Sequence, residues 1–178
     1  MKVLVLGGSS SKKSINKRLA YYAADLLKQK NPQAELIKLD LNDFDLPLFG
    51  VDLEEKIGQP EPAKKFLKHI QDCDLFILSL AEHNGSYSAA FKNLMDWTSR
   101  IDGKMFLQKP MLLMATSPGP RGGASVLEAA QKRFPFMGGN IKVTFSLPEF
   151  EKNFSDEKGI TLAEKKSELE KALQAFQS

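Results

Sequence analysis

Short apolar runs alternate with amphipathic segments along most of the chain. Five of these runs have the length and the aliphatic content of buried strands, and the segments between them repeat apolar residues at helical spacing. We predict strands at Lys2–Leu6, Ala34–Leu39, Asp74–Leu80, Pro110–Thr116 and Ile141–Phe145. Strands that alternate with helices indicate an α/β protein, in which helices cover both faces of a parallel sheet.

The predicted helices lie between and after these strands. The first begins at Ile15 and ends before Asn31-Pro32, whereas the long stretch Asn42–Pro62 is predicted to be a connection without regular structure. Further helices are predicted at Ala63–Asp72, Tyr87–Arg100, Ala124–Phe134 and Leu162–Phe176. Five strands in 178 residues favour one domain, residues 1–178, with a doubly wound five-stranded parallel sheet in the flavodoxin-like order 2-1-3-4-5.

Composition and charge exclude several classes of protein. Hydrophobic residues make up 42% of the chain and charged residues 26%, so disordered and fibrous classes do not fit. The net charge of +3 is too small to indicate nucleic-acid binding, and no apolar run approaches the ~20 residues of a membrane helix. The single cysteine, Cys73, excludes an internal disulfide and fits a reducing compartment. We expect no secretory leader before the first strand, and we expect a cytoplasmic protein that binds neither nucleic acid nor membranes.

Polar loops that contain glycine follow the first, third and fourth predicted strands. These three strands are neighbours in the predicted order, so their carboxyl ends meet at one edge of the sheet. Ligands of doubly wound sheets bind at that edge, where the strand order reverses. The three loops, residues 7–16, 81–87 and 117–123, therefore form the candidate binding site.

The first loop has the charge pattern of an anion-binding turn. Ser14 is placed to cap the following helix, and the first helical turn holds no acidic residue. A bound phosphate would accept hydrogen bonds from the free N–H groups and hydroxyls there, and a solvated capping loop is the alternative. The cations around the turn oppose the helix dipole by roughly 0.3–1 kcal/mol each unless an anion is bound, and they are Lys12, Lys13, Lys17 and Arg18.

Two common phosphate-binding motifs do not match this loop. A P-loop needs a glycine where Lys12 stands, and the strand that ends at Leu80 lacks the aspartate that would hold magnesium. The dinucleotide fingerprint needs spaced glycines, whereas Gly7-Gly8 is followed by serines. Asp40 could take the place of the ribose-binding acid of that fingerprint, but the simpler interpretation is that it is a polar residue that ends the second strand.

The second and third loops offer surfaces for a flat ligand. A helix follows Asn84-Gly85, so we expect these residues to expose their backbone to a ligand rather than to form a hairpin turn. His83 and Tyr87 provide rings for stacking or hydrogen bonding. The third loop combines prolines with glycines and places Arg121 at the start of a helix. Each loop taken alone has an ordinary turn as its alternative.

The residues that most hydrolytic or metal-dependent reactions need are missing from these loops. His69 and Cys73 share a helix face but have no further metal ligand near them in sequence, so we expect no metal site. No serine stands in a nucleophile-elbow motif, and Glu82 is the only acid in its loop, which leaves no carboxylate pair. A site with recognition groups and few reacting side chains suits a bound cofactor that supplies the chemistry.

Three motifs occur in the loops and helices at this edge of the sheet. They are, in order, Gly8-Ser9 with Ser14-x-Asn16-x-x-Leu19-Ala20, Glu82-x-Asn84-Gly85-Ser86 with Lys92-Asn93-x-x-Asp96-Trp97, and Ser117-Pro118-Gly119 with Gly122-Gly123. Together they resemble the NAD(P)H-dependent FMN reductase family, which includes chromate, azo-dye and quinone reductases. The resemblance covers about residues 2–145, and the middle motif is the most specific.

The resemblance implies that FMN is the cofactor. The first loop would hold its phosphate and ribityl chain, and the other two loops would border its isoalloxazine ring. Ser11 stands where the family usually has an arginine, and Ala81 and His83 stand where it usually has proline and tyrosine. The implied cofactor-binding residues are Ser9, Ser11, Ser14, Ile15 and Asn16 in the first loop, Ala81, Glu82, His83, Asn84 and Gly85 in the second, and Ser117, Pro118, Gly119 and Gly122 in the third.

From the resemblance we expect an oxidoreductase in which hydride passes from NADPH or NADH to N5 of the flavin. Electrons would then pass to a small-molecule acceptor such as a quinone, an azo compound, free flavin or a metal oxyanion, and the protein would form a homodimer or homotetramer. No residue is assigned as a catalytic acid or base, although His83 is a candidate. Two alternatives remain: a flavodoxin-like electron carrier or partner-binding module without a nicotinamide site, and a nucleoside-phosphate enzyme that uses the near-P-loop.

Overall fold

The computed structural model describes residues 1–176 of the chain. Its main sheet contains β1 (Lys2–Gly8), β2 (Glu35–Leu39), β3 (Leu75–His83), β4 (Ser86–Tyr87), β5 (Pro110–Thr116) and β6 (Asn140–Leu147). Five strands run parallel in the order β2-β1-β3-β5-β6, while β4 pairs antiparallel with the end of β3. The predicted order of the five parallel strands is therefore confirmed.

Helices connect the strands and cover both faces of the sheet. They are α1 (Ile15–Lys30), α2 (Val51–Ile57), α3 (Glu61–Asp72), α4 (Ala89–Ile101), α5 (Ala124–Arg133), α6 (Phe150–Asn153) and α7 (Ala163–Phe176). Short 3₁₀ turns occupy Leu41–Asp43 and Phe134–Met137, and a small hairpin joins β7 (Phe154–Ser155) to β8 (Gly159–Ile160). Within residues 1–176, no helix is both long enough and apolar enough to cross a membrane.

Two apolar clusters fill the two sides of the sheet. Alternate residues of a strand point to opposite faces, so Leu4 and Leu6 of β1 join one cluster while Val3 and Val5 join the other. The first cluster packs the sheet against α3, α4 and α5, and the second packs it against α1 and α7. Since both faces are covered, the inner strands β1, β3 and β5 are apolar along most of their length, as continuous apolar runs in the sequence predict, whereas the edge strands β2 and β6 are more exposed and contain polar residues.

The stretch from residue 42 to residue 62 has more structure than predicted, because it contains most of the first 3₁₀ turn and all of α2. Side chains of α4 hold the stretch in place: the indole N–H of Trp97 donates to the backbone oxygen of Pro47 at 2.7 Å, and Asn93 Oδ1 accepts from the N–H of Phe49 at 2.8 Å. Such contacts between distant parts of the chain leave no periodic pattern in the sequence.

The prediction that Asn84-Gly85 does not form a hairpin is wrong. Glu82 pairs with Tyr87 and His83 with Ser86, and the two turn residues have φ angles of 51° and 75°. These left-handed values suit the two-residue turns that Asn-Gly favours. The error came from starting the next helix at Tyr87. The helix begins two residues later, at Ala89, with Ser88 as its N-cap, and Ser86–Tyr87 form β4.

Candidate functional site

A cleft lies at the carboxyl edge of the sheet, between the three loops that the sequence singled out. All of its lining residues except Thr116 are among the predicted cofactor-binding residues. They are Ser9, Ser11, Ser14, Ile15, Asn16, Ala81, Glu82, His83, Thr116, Ser117 and Pro118. The structure thus brings together the loops that follow β1, β3 and β5.

The first wall of the cleft is the turn from β1 into α1. Gly7 allows the helix to start directly against the strand, since a Cβ atom there would lie 2.5 Å from the backbone N and Cα of Lys17. Ser14 caps the helix as predicted: its Oγ accepts a hydrogen bond from the N–H of Lys17 at 3.1 Å. The start of α1 is therefore fixed at the edge of the sheet.

Two backbone donors at the start of α1 remain open. Within residues 1–176, the N–H groups of Ile15 and Asn16 donate to no acceptor, and the first turn contains no acidic side chain. Both residues line the cleft, together with Ser9 and Ser11. Open N–H groups at the positive end of a helix dipole, beside serine hydroxyls, form an anion-binding arrangement.

The four cationic residues near this turn fall into two groups, two that bind carboxylates of the described residues and two that do not. Lys17 forms an ion pair with Asp40, and Arg18 binds Asp156 at 2.8 Å while lying over the ring of Phe150. Although partial burial alone would raise the pKa of Asp40, hydrogen bonds from Lys17 and Asn42 hold it below its usual value. By contrast, the exposed Lys12 and Lys13 form no ion pair within residues 1–176, so their charge is available to an anion.

Asn16 joins the first loop to the rest of the edge. Its side chain is 2% exposed; Nδ2 donates to the backbone oxygen of Thr116 at 3.0 Å, and Oδ1 accepts from the N–H of Thr116 at 3.0 Å. The hydroxyl of Ser79 donates to the same Oδ1 at 2.7 Å. The carboxamide of Asn16 is thus used inside the protein, and the backbone N–H is the group it offers to the cleft. Nothing in the sequence indicated that Thr116 would be its partner.

The second wall is the hairpin of β3 and β4. Glu82 and Tyr87 form a cross-strand pair, and both contact α5 or the turn that follows it. Glu82 Oε2 accepts from the N–H of Val126 at 3.0 Å, which supplies a cap to α5, whose N-cap residue is Gly123. His83 lines the cleft but is exposed. The hairpin therefore uses Glu82 to fix α5 and presents His83 at the mouth of the cleft.

Tyr87 was predicted to offer its ring to a ligand, but it packs into the protein. Its ring stacks on that of Phe134 with centroids 6.0 Å apart, and burial raises the pKa of its hydroxyl. The hydroxyl is buried and has no partner among the described residues. Tyr87 therefore stabilises the hairpin by packing against Phe134.

The third wall consists of Ser117 and Pro118. Gly119 and Gly122 behind them anchor the loop and do not line the cleft. Gly122 has φ = 57°, and a Cβ atom there would lie 2.3 Å from Ser146 Oγ, which donates to the backbone oxygen of Gly122 at 3.0 Å. Asn84 and Gly85 also lie outside the lining, at the tip of the hairpin.

The described part of the chain gives no support to a metal centre. Residues 1–176 contain no group of three or more histidine, cysteine, aspartate or glutamate residues that could hold a metal ion. Cys73 is buried and its thiol contacts the backbone oxygen of Ile70, and burial raises its pKa to about 11. The thiol is therefore protonated and unreactive at neutral pH.

Known proteins share the sequence pattern and the fold. The family model of NADPH-dependent FMN reductase matches residues 1–151. An NADPH:quinone oxidoreductase of Arabidopsis thaliana is 33% identical over 125 residues, which are 70% of this chain and 62% of that protein. An uncharacterised protein of Mycoplasma pneumoniae is 36% identical over 146 residues, which are 79% of this chain and 83% of that protein.

Solved structures agree on the architecture. The flavoenzyme NAD(P)H:(acceptor) oxidoreductase FerB from Paracoccus denitrificans has a TM-score of 0.72 and 24% identity, with 98% of this chain and 94% of that chain covered. At this identity the likeness concerns the fold. The family match, in contrast, spans all three loops of the cleft. The chain therefore belongs to the NADPH-dependent FMN reductase family.

Proposed function

We propose that the protein is an FMN-dependent oxidoreductase that takes electrons from NADPH or NADH and passes them to a small acceptor. The observation that carries this proposal is the start of α1. There, the open N–H groups of Ile15 and Asn16 meet the unpaired Lys12 and Lys13, and no carboxylate stands in the first turn. A phosphate dianion can accept hydrogen bonds from the open N–H groups of such a helix start and neutralise the nearby positive charge, and FMN carries such a phosphate.

The residues at the carboxyl edge fit FMN in two respects. The helix start suits its phosphate, while the cleft between residues 81–83 and Ser117-Pro118 suits a flat ring, because three of these five lining residues, Ala81, Ser117 and Pro118, have small side chains. Of the fourteen predicted cofactor-binding residues, we propose that Asn84, Gly85, Gly119 and Gly122 act by fixing the shape of their loops. When bound, FMN supplies the redox chemistry, accepting hydride at N5 and passing electrons on.

The role of the protein's own residues is to bind and orient the flavin. Asn16 holds the phosphate turn against the end of β5, and Glu82 holds the hairpin against α5, so the two sides of the cleft keep a fixed separation. Pre-organised polar groups cost little reorganisation when charge develops in a bound ligand. His83 offers an imidazole at the mouth of the cleft for hydrogen bonding to a ligand.

A quinone is the acceptor that we propose first, because the relative from Arabidopsis is named an NADPH:quinone oxidoreductase. Azo compounds, free flavin and metal oxyanions are further acceptors to test. We also propose that residues 1–178 act as one FMN-binding domain in a cytoplasmic homo-oligomer. Exposed apolar side chains on and beside α2 support the oligomer, and they are Leu48 at 81%, Val51 at 58% and Ile57 at 48%.

The experiment that tests the function begins with flavin binding. The purified chain, stripped of ligand, is titrated with FMN and with riboflavin, and we expect FMN to bind much more tightly than riboflavin because only FMN carries the phosphate. The loaded protein is then mixed with NADPH or NADH and a benzoquinone, and loss of absorbance at 340 nm is followed. FMN binding without oxidation of NAD(P)H would leave the electron-carrier alternative, and failure to bind FMN would reject both.

A further inference from the structure

β6 is one of the two edge strands of the main sheet, and its outer side is open. Within residues 1–176 it pairs with β5 alone, and the small hairpin of β7 and β8 forms a separate sheet. Apart from the ladder with β5, no backbone group of residues 140–147 bonds to the backbone of another described residue. An edge strand of this kind presents a row of unpaired N–H and C=O groups to which a further strand can bind.

The two edge strands differ in length and protection. β2 has five residues, whereas β6 has eight. In β6 the exposed Lys142 lies at the register shift against β5, and a lysine or a bulge makes an edge less able to accept another strand. The following Val143 and Thr144 are half-buried and of types that favour strands. The second half of β6 therefore keeps an edge that can pair.

A cleft with a volume of about 360 Å³ opens at the start of β6, and we call it the amino-edge cleft. It is lined by side-chain amides and small or apolar groups, namely Gln108, Gln131, Pro135, Gly139, Asn140 and Ile141. The side chains of Gln108 and Gln131 form no hydrogen bond within residues 1–176, so each can donate to and accept from a peptide group. Phe136, which follows Pro135, is 70% exposed and offers an apolar contact beside the cleft.

The amino-edge cleft is a fixed part of the fold. The N–H of Gln108 donates to the backbone oxygen of Gly138 at 2.8 Å, and Asn140 Nδ2 donates to the backbone oxygen of Gln108 at 3.3 Å. Lys104 Nζ donates to the backbone oxygen of Phe136 at 2.9 Å. These bonds join the turn before β5 to the 3₁₀ turn before β6.

The two segments around this cleft, residues 102–109 and 131–142, carry far more positive than negative charge. Lys132 pairs with Glu128 at 2.7 Å, but Arg133 and Lys142 are exposed and form no ion pair within residues 1–176. A second copy of the chain on this edge would bring two cationic rims together, whereas an acidic strand would be attracted. The segments contain one acidic residue, Asp102, against the five cations Lys104, Lys109, Lys132, Arg133 and Lys142.

We propose that the edge of β6 and the amino-edge cleft bind an extended acidic segment of a partner protein, which adds to the main sheet as a further strand. The main-chain groups of β6 supply most of the binding, and Arg133 and Lys142 select for acidic side chains. The amides of Gln108 and Gln131 hold one end of the segment. This surface lies at the amino ends of β5 and β6, opposite the cleft that contains Thr116, so the inference does not rest on the proposed function.

The test uses the full chain and a soluble peptide of alternating glutamate and valine with 8 residues, the length of β6. Binding is measured by isothermal titration calorimetry, and hydrogen exchange of residues 140–147 is followed by NMR. We expect the peptide to bind and to slow exchange of the outward N–H groups of β6. A fully N-methylated form of the peptide keeps the charges but cannot donate from its backbone, and we expect it not to bind.

Charge reversal separates recognition at this edge from general electrostatic attraction. Arg133→Glu/Lys142→Glu places two acids beside the proposed strand, and we expect peptide affinity to fall about tenfold at low salt. Lys64→Glu/Lys65→Glu on α3 changes the net charge by the same amount and is the matched control. Its affinity for the peptide should stay close to that of the unsubstituted chain.

No binding of the acidic peptide, or binding without slower exchange in β6, would overturn the proposal. Equal affinity for the N-methylated peptide or for a single-stranded oligothymidylate would assign the surface to polyanions in general. An equal loss in both double variants would assign the effect to net charge, and exchange in β6 that slows with protein concentration alone would show that a second copy occupies the edge. Flavin binding is measured on the same samples, so a failure here is distinguishable from a failure of the proposed function.

Discussion

The carboxamide of Asn16 binds both the N–H and the backbone oxygen of Thr116, one hundred residues further along the chain, at 3.0 Å each. Thr116 is the last residue of β5, and its hydroxyl donates to the backbone oxygen of Leu147 at the end of β6. Asn16 is in the first turn of α1, so one side chain couples the proposed phosphate turn to two strands of the sheet. The position of the N–H groups that we propose for anion binding therefore depends on a contact that no local pattern encodes.

Replacing Asn16 with alanine should reduce both stability and flavin binding. The substitution removes the buried side-chain partner of the backbone groups of Thr116 and of the hydroxyl of Ser79, and leaving such a buried group unpaired costs about 1–3 kcal/mol. We expect the free energy of unfolding to fall by about 2–4 kcal/mol in chemical denaturation. FMN affinity of the folded variant, measured by fluorescence, should fall as well. Ser79→Ala removes one of the three bonds and should cost about 1 kcal/mol; equal losses in both variants would contradict the coupling role of Asn16.

Removing the unpaired lysines should weaken binding of FMN and spare riboflavin. Lys12→Ala/Lys13→Ala deletes two charges next to the open N–H groups, and we expect about a tenfold loss of FMN affinity at low salt, shrinking as salt screens the attraction. Riboflavin lacks the phosphate, so its affinity should not change. Lys64→Ala/Lys65→Ala on α3 removes the same net charge elsewhere and is the control. A similar loss in the α3 variant would assign the effect to net charge rather than to the turn.

Continuous apolar runs such as Asp74–Leu80 identified the strands, because strands buried on both faces consist mostly of apolar residues, and the alternation of strands with helices then predicted the order of the parallel strands. The helical spacing of apolar residues identified Ser14 as a cap, since a helix cap and the first apolar residues of its helix are close in sequence. The three loops followed from the strand order, and ten of the fourteen candidate residues line the cleft.

Contacts between distant residues explain what the sequence could not reveal. Thr116 lies at the end of a correctly predicted strand, but its importance comes from Asn16 and not from its neighbours. The side-chain acceptor for α5 is Glu82, 44 residues before Val126. Gly122 matches the family motif, and only the packing of its loop on Ser146 shows that it shapes the loop and does not line the cleft.

Glu82 should tolerate glutamine better than alanine. In Glu82→Ala the N–H of Val126 loses its acceptor at the start of α5, and we expect a loss of about 1 kcal/mol in the free energy of unfolding together with weaker FMN binding. Glutamine keeps an oxygen that can accept the same hydrogen bond, so Glu82→Gln should restore most of both. Glu128→Ala, an exposed acid on the same helix, is the control and should change neither. If glutamine were as harmful as alanine, the negative charge and not the hydrogen bond would be the important property.

The pair formed by Lys17 and Asp40 should add a pH-dependent part to stability. The pKa of Asp40 in the folded protein lies below that of an unfolded chain, about 3.9, so between the two values the unfolded state binds more protons. This contribution is complete above about pH 5 and is lost as the pH falls through the folded pKa. Because the pair is partly exposed, we expect it to be worth less than about 1 kcal/mol. Denaturation of the unsubstituted protein and Asp40→Asn at pH 7, 5 and 3 checks this: the difference in stability between them should shrink towards pH 3. A difference that stays constant over this range would mean that Asp40 contributes through packing or capping of the 3₁₀ turn, which does not require its charge.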